Sequence, residues 1–204
     1  DVTISPQAGV QMMNRFRWWT VSAATVLMCC VVVAQDKEKA TQVVEVKDIK
    51  LKVPKAWKQE KPSNQFRVAQ FKIDAAEGDK DGGELVITQF GGGGGGVDDN
   101  IKRWINQFEA KDRKVKVTKG KSDQGEYIVV DATGTYLKPD GPPIAGKTKP
   151  TPGSRVLNIM LIVEDKGSYF LKLAGPEKTI AGAATDLRSS FGAKAEDEKE
   201  YKAN

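Results

Sequence analysis

The segment Arg155–Pro176, RVLNIMLIVEDKGSYFLKLAGP, decides the fold. Arg155–Glu164 and Ser168–Ala174 are runs of aliphatic, β-branched and aromatic residues, and Asp165-Lys166-Gly167 between them has turn chemistry. So short a connection makes neighbouring strands antiparallel, because a parallel pair needs a long crossover. Upstream, Val115–Lys119, Glu126–Leu137, Phe66–Ile73 and Glu84–Phe90 read as further strands. The acidic, turn-rich stretch Asp74–Gly83 is a hairpin loop between two of them. Val44, Val46, Ile49, Leu51 and Val53 alternate in strand fashion up to Pro54. Two helices interrupt this pattern. Val97, Ile101, Trp104, Ile105 and Phe108 form one apolar stripe within a helix over 97–112. Ile180, Ala184, Leu187 and Phe191 form another over 177–192, after Gly175-Pro176. Strands joined by short turns, with one helix in the middle and one at the end, predict an α+β fold on a mainly antiparallel sheet.

Composition removes chemistry. The 204 residues contain no His, which excludes Ser-His-Asp and Cys-His hydrolases and the commonest zinc ligand. The two cysteines, Cys29 and Cys30, are adjacent and N-terminal. The remainder therefore has no thiol for zinc, an iron–sulfur cluster or a disulfide. The formal charge is +5, carried mainly by Lys scattered among Asp and Glu. That is the pattern of a solvated surface; a nucleic-acid interface more often clusters Arg among exposed aromatics. No nucleic-acid partner, cofactor or metal is expected.

The N-terminus reads as a targeting segment. Residues 1–11 look like an upstream extension before a start at Met12 or Met13. Arg15 and Arg17 are the basic flank of an apolar run from Trp18 to Val33, and Val32-Val33-Ala34 offers a cleavage site after Ala34. The expected organisation is a signal peptide over 12–34, a linker over 35–42, a domain over 43–192 and a charged disordered tail over 193–204. An uncleaved anchor, or a lipid on Cys29 or Cys30, is the alternative and the sole expected route to a membrane.

Three motifs call for weighing. Gly91–Gly96 matches a dinucleotide-binding glycine pattern, as any glycine homopolymer does. Asp98 and Asp99 already place negative charge at the start of the following helix, so the run reads as a linker. Glu77, Asp79 and Asp81 before Gly82 resemble the opening of a calcium loop, but Thr88 stands where the closing Glu would be required. No pair of carboxylates is singled out for acid–base work.

Leu51-Lys52-Val53-Pro54 followed by Trp57, the helix Ile101–Phe108 with Trp104, the ending Tyr169–Pro176 and the closing Ser190-Phe191 together resemble the PsbP-like superfamily, which also contains the eukaryotic Ran-release factors. The resemblance spans residues 43–192. It implies an α/β/α sandwich around an antiparallel sheet, and a protein that binds other proteins in preference to catalysing reactions. No photosystem-binding or Ran-binding residue transfers, and the polyglycine run and the proline-rich insertion depart from the pattern. The resulting expectation is an exported, non-catalytic domain that binds or supports another macromolecule, a protein or envelope component. The partner-binding element is the long loop Lys138–Ser154, with Lys138, Pro139, Lys147 and Lys149. The alternative is a small-ligand binder whose cleft is lined by Trp57 and Trp104, and a carboxylate-based hydrolase stands third.

Overall fold

The computed structural model describes residues 2–3, 39–90, 94–141 and 146–202. The fold belongs to the second of the chain's two units, Glu38–Asn204. The export segment 12–34, its cleavage site and both cysteines lie outside the described residues, as do residues 91–93 and 142–145 of the polyglycine run and the long loop. Among the described residues no helix is long and apolar enough to cross a membrane.

The strands are β1 (Thr41–Val46), β2 (Ile49–Pro54), β3 (Lys58–Glu60), β4 (Arg67–Ile73), β5 (Gly83–Phe90), β6 (Lys114–Ser122), β7 (Gly125–Pro139), β8 (Thr148–Val163), β9 (Gly167–Pro176) and β10 (Lys199–Glu200). Two helices join them, α1 (Val97–Ile105) and α2 (Glu177–Ser190). Eight strands form one antiparallel sheet in the order β10-β6-β7-β8-β9-β5-β4-β3. β1 and β2 form a separate hairpin. The single alternating strand expected over 44–54 is instead this hairpin, because Lys47 at φ 53° reverses the chain at Lys47-Asp48.

Strand alternation sends successive side chains to opposite faces, and each face has its own core. Tyr127, Val129, Leu157, Ile159, Leu161, Leu171 and Leu173 face the β1–β2 hairpin with Ile49, Leu51 and Val53, Trp57 in the turn that follows it, and α2 with Ile180, Leu187 and its C-cap Phe191. Ile128, Val130, Met160 and Phe170 face the other way, under Ile101 and Trp104 of α1. Helices thus cover both faces of an antiparallel sheet, with the hairpin completing one outer layer. Gln124 fastens that hairpin by accepting from the Lys50 amide at 2.9 Å and donating to its carbonyl at 2.8 Å.

Both helices are shorter than the apolar stripes suggest. After Ile105 the chain leaves α1 to run beside β7, where Leu137 donates to the Gln107 carbonyl and Glu109 to that of Thr135. Phe108 therefore leaves the stripe of Ile101 and Trp104 and joins a separate apolar cluster with Ala132, Tyr136 and Val156, as a bridge to Tyr136. α2 stops at Gly192, whose φ of 81° suits glycine. There Ala193 donates to the Arg188 carbonyl and Gly192 to that of Ser189, closing a Schellman motif. Pro176 offers no side-chain cap to α2. Asp79, from the β4–β5 loop, accepts from the Thr179 amide at 2.9 Å and does the capping from outside the helix.

The disordered tail expected over 193–204 is corrected by the structure through residue 202. A 3₁₀ turn at Ala195–Asp197 leads into β10, which pairs with β6. Glu198 is buried between Arg188 and Thr118, accepting from Arg188 Nε at 2.6 Å and Thr118 Oγ1 at 2.6 Å. Tyr201 donates to Asp98 of α1 at 2.9 Å. The charge density of this segment suggests solvation, but one of its carboxylates neutralises a buried guanidinium of the preceding helix.

Candidate functional site

The segment expected as the loop Lys138–Ser154 is mostly strand. β7 runs on to Pro139 and β8 begins at Thr148, so only residues 140–147 connect them. β9 ends opposite Ser154. Beyond that point β7 and β8 continue as a two-stranded arm, and among the described residues no strand covers its β8 side. Pro150 and Pro152 fit there because a strand without a neighbour on one side tolerates a missing donor. A shift of register between Gly134 and Tyr136 bends the arm at its base.

The arm places the expected residues side by side. Lys138 stands directly opposite Lys149, Pro139 opposite Thr148, and Lys147 lies at the tip, where its carbonyl accepts from the Asp140 amide. All four expected residues are exposed. Like charges paired across a ladder repel, so the Lys138–Lys149 register does not help to hold the arm together.

Beside the arm lies an open groove of about 700 Å³. Tyr136, Lys138 and Thr151 line it on the arm side, Lys72 and Asp74 at the end of β4, and its floor is backbone at Gly83 and Gly175. Two of its three carboxylates, Asp74 and Glu84, are paired with cations, and the third, Asp81, is exposed. Asp74 accepts from Lys58 at 2.8 Å, and Glu84 accepts from Arg67 at 3.0 Å. Tyr136 packs against Phe108 with ring centroids 5.3 Å apart, and its burial pushes the phenol up to about 12. The groove offers charged side chains of both signs and an aromatic wall at Tyr136.

The expected aromatic cleft of Trp57 and Trp104 is not formed. Trp57 is buried in the α2-side core and Trp104 in the α1-side core, on opposite faces of the sheet. Strand alternation fixes that separation, and sequence spacing between two distant elements carries no sign of it. Trp104 does line a smaller depression beside α1, with Asn158 and Lys172. Neither polar residue was expected at a site. The available signal was a Lys and an Asn standing in otherwise apolar strands.

The glycine run is more than a tether at its described end. Gly94 has φ 69°, and a Cβ there would clash with the Phe170 ring. Asn100 donates to the carbonyls of Gly94 and Gly96 at 3.0 and 2.9 Å, fastening this turn to the start of α1. In the acidic β4–β5 loop, Asp79 accepts from both the amide and the hydroxyl of Thr179, which ties the loop to α2.

The sheet, the helix on each face and the arm define an α+β domain with an antiparallel core. No family model matches the sequence, and no curated protein matches it. Among solved structures the chain is similar to the solution structure of cyanobacterial PsbP (CyanoP) from Synechocystis sp. PCC 6803. That similarity has 15% identity and a TM-score of 0.44, over 79% of this chain and 93% of the other.

Proposed function

We propose that this chain is an exported, non-catalytic binding domain that engages an acidic surface of another macromolecule at the cell envelope through the β7–β8 arm. The observation that carries this reading is the arm itself. It extends two long strands past the end of β9 and sets Lys138 opposite Lys149 with Lys147 at the tip. Three lysines stand against the single Asp140 between residues 138 and 149. An acidic partner would relieve the repulsion within the arm and gain charge-assisted contacts on a preformed scaffold. Export rests on the basic and apolar pattern of residues 12–34.

The test replaces Lys138, Lys147 and Lys149 with Glu, and separately shortens the arm to a Gly-containing turn. The melting temperature should stay within about 2 °C of wild type, as for surface changes away from buried contacts. Capture of a stoichiometric partner from the native envelope fraction should disappear. Capture at wild-type yield by either variant would refute the arm as the recognition element.

A further inference from the structure

The depression beside α1 exists because the helix stops short. α1 covers Ile128, Met160 and Phe170, then the chain turns away at Ile105 to reach β7. The next row of the sheet on this face runs Gln70, Val86, Lys172, Asn158 across β4, β5, β9 and β8. Lys172 and Asn158 are direct neighbours across the β8–β9 ladder. They line a cavity of about 240 Å³, together with Trp104, Phe90 and Phe170 on the apolar side and Arg103 on the α1 side.

The polar groups here are donors in surplus. Lys172 Nζ donates to Tyr136 Oη at 2.6 Å and to Gln107 Oε1 at 3.2 Å. An ammonium has three N–H groups, so one is left over. Asn158 is 2% exposed, and its Nδ2 is enclosed with no hydrogen-bond partner. An orphaned buried amide is costly and is rare in native structures, which marks this one as awaiting an acceptor. The aromatic side is rigid, with Phe170 edge-on to both Phe90 and Trp104 at 5.6 and 6.1 Å. A group that completes the site must bring oxygen acceptors and negative charge at one end and an apolar body at the other.

We propose that this depression binds a small organic monocarboxylate, its carboxylate held by Lys172 and Asn158 and its body against Trp104, Phe90 and Phe170. A cavity of about 150 Å³ is enough for benzene, so this one has room for a benzoate-sized molecule. The depression is distinct from the arm's groove and does not depend on the role given to the arm, although Tyr136 at the arm's base accepts from Lys172. The charged and titratable groups around Lys172 are Glu84 on β5, Arg67 on β4, Arg103 on α1 and Tyr136 on β7. Desolvation is the largest influence on Lys172 and lowers it to about 8, which Glu84 opposes while Arg67 and Arg103 add to it. A bound carboxylate favours the ammonium, so affinity should fall as pH rises through that value.

The test titrates the isotopically labelled full chain with benzoate, benzamide and inorganic phosphate, and follows amide chemical shifts. Benzoate should give saturable shifts at Lys172, Asn158 and Trp104, with benzamide weaker by about tenfold or more, as expected for losing a charge-assisted hydrogen bond. Lys172→Met and Asn158→Asp should each weaken benzoate by about the same factor, and melting curves report whether either variant is folded. The comparison of benzoate with benzamide on the unaltered chain holds whether or not the variants fold. Equal binding of benzamide, stronger binding of phosphate, or no saturable response to benzoate in the millimolar range would each overturn the proposal.

Discussion

Replacing Glu198 with Ala removes the only charged partner that Arg188 has among the described residues, and the Arg188 side chain is 10% exposed. The guanidinium loses bonds of 2.6 and 3.3 Å to the two carboxylate oxygens and keeps only a 3.3 Å contact to the Ala184 carbonyl. Thr118 loses its acceptor at the same time. Leaving one member of a buried pair uncompensated costs about 3–5 kcal/mol, a large part of the roughly 5–15 kcal/mol that holds a typical domain together. Urea unfolding should show that loss as a lower midpoint, and the melting temperature should drop by roughly 6–20 °C for a domain of this size. Removing both charges together, Arg188→Met with Glu198→Leu, should restore most of the stability, because no desolvated charge then remains. If Glu198→Ala costs less than about 1 kcal/mol, the pair behaves as an exposed one and the C-terminal segment does not close the core.

Two further outcomes follow from burial. Trp104→Ala should cost about 3–5 kcal/mol in urea unfolding, since its ring is 6% exposed and packs on Phe170, and a loss under 1 kcal/mol would contradict that packing. Lys172 is lowered to about 8 in the folded protein and returns to the ordinary lysine value on unfolding, so the unfolded chain binds more protons between those limits. Its charged form therefore weighs against folding below pH 8, and this penalty is relieved as pH rises towards the unfolded value. The advantage of Lys172→Met over the unaltered chain, measured in urea at successive pH values, should shrink over that window, and an unchanged difference would refute the desolvation of Lys172.

The sheet was legible because its strands are long and their turns carry local chemistry. Asp165, at φ 59° between β8 and β9, is a residue type that accepts the left-handed region, and the sequence marks that turn directly. The helix on the α1 side was legible through Ile101 and Trp104, but its end was not. The pairing of Phe108 with Tyr136 that stops it is a contact between distant parts of the chain. The same reason hides the fate of the C-terminus. Nothing local to Glu198 announces Arg188 and Thr118 as its partners, and charge alone reads as solvent. At the arm, the lysines were legible as a charged, proline-rich insertion. Their strand conformation was not, because Pro150 and Pro152 argue against a strand unless the absence of a neighbour on one side is known. The Lys172–Asn158 pair needs the β8–β9 register, which a one-residue slip would destroy.

The strand order has a consequence for how the chain must assemble. β3, β4 and β5 zip together in chain order, and so do β6, β7, β8 and β9, each pairing with a neighbour nearby in sequence. The two groups meet along one seam, β5 against β9, from Glu84–Ala174 to Phe90–Ser168. A chain synthesised from its N-terminus has made α1 and three more strands before the partner of β5 emerges. Until then β5 presents an open edge of unpaired amides and carbonyls, the kind of surface that recruits other chains. Local pairing is fast and closure over a long loop is slow, and this seam is the long-range pairing that joins the two groups. The β5–β9 seam is therefore where the nascent protein is most exposed to wrong partners, at the centre of what becomes its most protected layer.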